Sequence, residues 1–137
     1  MFNLIFACVH NAGRSQMSAA FFNELADAAK ARAVSAGTEP AERVHPVVLE
    51  VMREVGIDLS EAKPQKLTDE LARSAQMLIT MGCGEQCPHV PGLRREDWPL
   101  RDPKGLPMDE ARVVRDEIRS RVEQLISTEG FAKRSPA

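Results

Sequence analysis

The sequence predicts an α/β fold, an open parallel sheet with helices on both faces, and three observations carry that prediction. Short apolar runs alternate along the chain with longer segments of helical periodicity. The first run, residues 2–7 (FNLIFA), is almost wholly apolar, as in a strand buried on both sides. A chain of 137 residues can bury one continuous core without disulfides or metals, so a single domain over 1–137 is expected.

Each element follows from its local pattern. After the strand 2–7 comes a loop, and from Ser15 the residues Met17, Ala20, Phe21 and Leu25 recur at three- and four-residue steps. The alanine-rich continuation predicts a helix to about Arg32. Residues 33–36, followed by Gly37, predict a second short strand. Pro46 stands where proline is favoured at a helix start, and Val47, Val48, Val51 and Met52 follow before Gly56 closes the helix.

A further helical segment spans residues 67–74, introduced by Thr68 with the first-turn acids Asp69 and Glu70. Residues 76–80 (QMLIT) predict the third strand, which ends just ahead of Cys83. Residues 82–108 hold five of the nine prolines and read as the longest irregular stretch, a kind of segment that is usually functional inside a compact domain. Asp109 is expected to cap a last helix carrying Val113, Val114, Ile118, Val122 and Leu125, and residues 128–137 read as a frayed, flexible tail. The chain contains no internal repeat or low-complexity segment.

A net charge of −2 offers no general attraction to nucleic acid or an anionic membrane, so neither is an expected partner. The N-terminal apolar run lacks a basic flank and is too short for a signal peptide or membrane span, which makes a cytoplasmic location the expectation. Three cysteines in a reducing compartment are reactive or metal-binding more often than structural, and an odd number leaves one unpaired in any disulfide state.

The loop from Cys8 through Val9, His10, Asn11, Ala12, Gly13 and Arg14 to Ser15 joins the first strand to the first helix. Successive backbone N–H groups curling into a helix N-terminus make an anion nest, and a guanidinium can grip two oxyanion oxygens at once. Gly13 permits the tight turn and Asn11 tolerates a left-handed conformation. The same positive field favours a thiolate at Cys8, with the Ser15 hydroxyl within reach of the sulfur. His10 reads as a wall of the loop rather than a base.

In an open parallel sheet, ligands bind beyond the carboxyl ends of the strands, where Cys8 and Cys83 both fall. Three readings of Cys83 and Cys87 stand open. Residues four apart on a helical turn have Cα atoms about 6 Å apart, which suits a redox pair. With His89 they supply three zinc ligands where a closed site needs four. They also fit an inert pair of buried thiols.

The segments CVHNAGRSQM, SAGTEP and the Asp102-Pro103 pair together resemble the low-molecular-weight tyrosine phosphatase superfamily, and MGCGEQCP and EDWPLRDPKG resemble its arsenate reductase branch, over about residues 2–126. The resemblance implies a four-stranded parallel sheet and a general-acid role for Asp102, although Asp before proline also serves simply to make a turn. It implies arsenate as substrate and a relay in which Cys8 forms a thiol–arsenate adduct, Cys83 displaces the arsenic as arsenite, and Cys87 takes over the disulfide. Gly82 and Gly84 would give Cys83 room to move. No bound cofactor or metal is implied; relatives that hold potassium do so through carboxylates where this chain has Ala19 and Gln65.

An external reductant is implied, either thioredoxin or a low-molecular-weight thiol system with a glutaredoxin-type protein. The compact CGEQC spacing is similar to members that use low-molecular-weight thiols. The competing enzyme is a low-molecular-weight protein-tyrosine phosphatase, disfavoured by a chain with no tyrosine and a single tryptophan, Trp98, which also suits the core. A reading of another class is a non-catalytic arsenic or oxyanion binding protein. A monomer is expected, Arg94, Arg95, Arg112, Arg115 and Arg119 read as solvated faces or as a docking surface, and His45 reads as structural.

Overall fold

The computed structural model describes residues 1–81 and 92–133. Its strands are β1 (Phe2–Cys8), β2 (Ala31–Gly37), β3 (Met77–Thr80) and β4 (Arg94–Asp97), and its helices α1 (Arg14–Leu25), α2 (Pro46–Arg53), α3 (Asp69–Arg73) and α4 (Met108–Glu129). All four strands are parallel in the order β2-β1-β3-β4, and β1 is central, pairing Phe2 with Ala31 through Cys8 with Gly37 on one side and Leu4 with Met77 on the other. The open, four-stranded parallel sheet is therefore present as expected.

The two faces are covered unequally. Leu4, Phe6 and Cys8 point into the larger core, with Met17, Phe21 and Phe22 of α1, Val48, Val51 and Met52 of α2, and Val114, Ile118 and Val122 of α4. Ile5, Ala7, Ala36 and Leu78 point the other way, against Leu67 and the short α3 residue Leu71. Strand side chains alternate between faces, so an uninterrupted apolar run is what a strand between two layers requires. Trp98 fills the larger core, its ring 5.6 Å from that of Phe6.

Capping chemistry sets several boundaries. Thr68 caps α3 as its position suggested, its Oγ1 accepting the Leu71 N–H at 3.0 Å. Pro46 is the first residue of α2. Asp109 does not cap α4: the cap is Pro107, and Asp109 lies in the first turn with Glu110, where both acids favour the helix dipole.

Three expectations are corrected by the structure. The first helix ends at Leu25 instead of about Arg32. Asp27 receives N–H bonds from Ala29 on its side chain and from Lys30 and Ala31 on its carbonyl, turning the chain into β2. Residues 94–97, read as part of an irregular stretch, form β4, a charged edge strand with no apolar alternation to betray it. The helix expected to fray at Thr128 runs to Glu129 and closes on Gly130 in the left-handed conformation. Phe131 then packs 5.1 Å from Phe2, and Ala132 bridges Ala26; residues 134–137 lie outside the described residues.

The arginines also differ from a uniform solvated surface. Arg115 is buried, donating to the Val51 carbonyl at 2.9 Å and to Glu54 at 2.8 Å, while Arg112 grips both Glu54 oxygens. Arg94 pairs with Glu129 across the β4–α4 boundary. Arg119 lies 5.8 Å from the centre of the Phe21 ring.

Candidate active site

The loop between β1 and α1 starts directly from the central strand, because Cys8 is still paired with Gly37 when the chain turns. The turn is pinned from outside: Thr38 N–H donates to the Cys8 carbonyl, Glu39 to that of Val9, Ala41 to that of His10 and His45 to that of Ala12. The segment after β2 is thus zipped along the outer side of the loop. Its close approach depends on Gly37, where a Cβ would stand 2.6 Å from the Val9 carbonyl oxygen and 2.9 Å from the Asn11 nitrogen.

Asn11 is the internal support. It is fully buried with φ 51, a conformation that asparagine tolerates and branched residues do not. Its Oδ1 accepts the Gln65 backbone N–H at 2.9 Å and the Gln16 amide at 3.3 Å, while its Nδ2 donates to Ser15 Oγ at 2.7 Å. Ser15 Oγ stands 2.9 Å from Cys8 Sγ, and the Asn11 N–H points at the same sulfur from 3.3 Å. Ser15 Oγ and the Asn11 N–H therefore converge on Cys8 Sγ.

A small recess beside the sulfur is lined by Cys8, His10, Ala12, Gly13, Arg14, His45 and Asp102. Arg14 is mostly buried, with Nη1 donating to the Leu100 carbonyl at 3.1 Å and Nη2 3.8 Å from Asp102 Oδ2. Asp102 is exposed, and its Oδ1 accepts the Lys104 N–H at 3.0 Å, the turn expected before Pro103. Pro103 in turn leans on Gly13, whose added Cβ would meet the proline ring at 3.1 Å. Residues far apart in sequence, Cys8, Arg14 and Asp102, share one rim.

Val9 is partly exposed and His10 exposed, its Nδ1 3.1 Å from the Glu39 carbonyl oxygen, consistent with a wall position. Cys83 and Cys87 lie outside the described residues, as do Gly82, Gly84 and His89. Sequence reasoning missed His45 as a lining residue. Its placement before the first-turn proline of α2 looked structural, and only the zipping of the 38–45 segment to the loop brings it to the recess. Gln65 is another omission, since a backbone N–H leaves no trace in the sequence. Partial burial holds the His45 imidazole below its ordinary value of 6.5, outweighing the opposing pull of the Asp102 carboxylate, and Lys104, His10 and Arg14 push it the same way.

Among the described residues, no three His, Cys, Asp or Glu side chains are grouped to hold a metal ion, and no helix is long and apolar enough to cross a membrane. A glutaredoxin arsenate reductase of Synechocystis sp. is 37% identical over 130 residues, covering 93% of this chain and 98% of that protein. An arsenate reductase from Archaeoglobus fulgidus has a similar structure, with a TM-score of 0.78 and 32% identity over 90% of this chain and 98% of its own. A thioredoxin-dependent arsenate reductase from Corynebacterium glutamicum gives a TM-score of 0.81 at 38% identity over 93% of this chain, which spans only 61% of that protein. Residues 3–135 match the low molecular weight phosphotyrosine protein phosphatase family, and the chain belongs to that family.

Proposed function

We propose that this enzyme is an arsenate reductase working through Cys8, Cys83 and Cys87. The observation that carries the reading is the pair of donors on Cys8 Sγ beneath a small recess rimmed by Arg14 and Asp102. The lining chemistry suits a small inorganic tetrahedral anion, with the loop N–H groups and Arg14 holding its oxygens. The likeness to proteins named arsenate reductases supports arsenate as that anion.

In this scheme the Cys8 thiolate attacks arsenic, and Asp102 gives its proton to the departing oxygen, which leaves as water. Cys83 then attacks the Cys8 sulfur; the S–As electron pair stays on arsenic, which departs as arsenite. Arsenic gains two electrons and the two sulfurs lose two, leaving a Cys8–Cys83 disulfide. Cys87 attacks Cys83, freeing Cys8 and forming Cys83–Cys87, which an external dithiol or thiol reduces. That return to thiols fits a reducing cytosol. Ser15 and Asn11 hold Cys8 ready for attack.

The names of the relatives divide over the reductant, one thioredoxin-dependent and one glutaredoxin-coupled. The compact spacing of Cys83 and Cys87 favours the thiol and glutaredoxin route. With arsenate, NADPH oxidation coupled through each reductant system separately should appear for the wild type and vanish for Cys8→Ser and Cys83→Ser. Hydrolysis of an aryl phosphate that survives Cys83→Ser, without arsenate turnover under any reductant, would make the chain a phosphatase. Anion binding without either activity would leave a binding protein.

A further inference from the structure

We propose that His45 is a substrate-contacting residue that donates an imidazole N–H to an oxygen of the bound oxyanion, so that anion binding is coupled to protonation at this ring. The inference deepens the functional reading above and rests on the Cys8-to-Arg14 loop being an oxyanion cradle.

The main chain of His45 is fixed at both ends. Its N–H donates to the Ala12 carbonyl at 2.9 Å, and its own carbonyl accepts from Val48 and Leu49 in the first turn of α2. The ring itself is half-buried, lines the recess with Cys8, Arg14 and Asp102, and makes no side-chain hydrogen bond among the described residues. Its Cδ2 packs beside Gly13, 3.5 Å from where a Cβ there would stand. The other polar groups of the rim are engaged: Arg14 with Leu100 and Asp102, Asp102 with the Lys104 N–H, and His10 with Glu39. A partly desolvated ring held in place without a partner, beside a cavity built for an anion, is a donor waiting for its acceptor.

The charges facing the ring decide the pH response. Arg14, Lys104 and His10 oppose its protonation and Asp102 favours it, while burial favours the neutral form. A dianion in the recess adds negative charge close to the ring and favours the imidazolium. Binding therefore takes up a proton, and affinity rises as pH falls through the neutral range.

The test uses the full chain carrying Cys8→Ser, which removes the nucleophilic sulfur, with sulfate as probe because its charge is constant over this range. Calorimetric titration between about pH 5.5 and 8 should show sulfate affinity falling roughly tenfold as pH rises. His45→Asn in the same background should flatten that slope and weaken binding at the acid end, whereas His10→Asn should keep it. Independently of any change at position 45, the NMR titration of the His45 ring should move to higher pH when sulfate is added. An unchanged slope in the His45→Asn protein, or a His45 titration indifferent to sulfate, overturns the proposal and leaves the cradle intact. No sulfate binding at any pH overturns both.

Discussion

The Asn11 side-chain amide donates to Ser15 Oγ at 2.7 Å, and that bond fixes the direction of the serine hydroxyl. With one lone pair occupied by Asn11 Nδ2, the Ser15 proton is free to point at Cys8 Sγ, 2.9 Å away. Ser15→Ala should therefore leave the fold intact but remove one of two donors from the thiolate. Alkylation of Cys8 by iodoacetamide near pH 6 should slow by roughly tenfold, the worth of one hydrogen bond to a charged group. Unchanged alkylation would mean that the backbone N–H of Asn11 alone sets the sulfur's reactivity.

Gly37 tests how the loop is held. A methyl group at this position would enter the space of the Val9 carbonyl and the Asn11 nitrogen, both backbone atoms that cannot swing aside. Gly37→Ala should lower stability by about 1–3 kcal/mol, the usual cost of overpacking, and should lower activity by more than the loss of folded protein explains. Urea unfolding beside single-turnover rates separates the two effects.

Asp102 stands over the recess 3.8 Å from Arg14. Asp102→Asn preserves the turn, because the side-chain oxygen can still accept the Lys104 N–H. Loss of the proton donor should reduce the rate of adduct formation by about 10²–10⁴-fold with little change in oxyanion affinity. A mutant that loses affinity and keeps its rate would make Asp102 a binding group instead of an acid.

Glu54 joins α2 to α4 and carries a pH signature. Hydrogen bonds from Arg112, and then from Arg115, hold its carboxyl at about 2, below an ordinary 4.5. A depressed folded-state value means that the stabilisation is complete above 4.5 and is lost as pH falls towards about 2. Glu54→Gln should thus be less stable than wild type at neutral pH, and the two unfolding midpoints should converge on acidification through that window. A gap that stays constant from neutral to acid pH would assign the difference to packing.

Much of the Cys8 half of the candidate site was legible because it is local. Cys8, Gly13, Arg14 and Ser15 lie within one strand–loop–helix unit, and their spacing alone brings sulfur, hydroxyl and guanidinium to one helix N-terminus. The central strands were legible for a related reason: a strand between two layers must be apolar on both faces, as residues 2–7 and 77–80 are. Strand β4 escaped notice because an edge strand can carry Arg94, Arg95, Glu96 and Asp97 and still complete the sheet through backbone bonds alone.

By itself the sequence determined the parallel α/β plan and the make-up of the Cys8 loop, since these depend on residue type and short-range spacing. Tertiary structure alone decided that α1 stops at Leu25, that Phe131 docks on Phe2, that Arg115 is buried, and that His45 lines the recess with Cys8. Each of those outcomes is a contact between segments distant along the chain, formed when two surfaces meet. Local periodicity records which face of an element is apolar; it does not record which partner will cover it. The loop's chemistry was thus written in its residues, and its surroundings were set by packing.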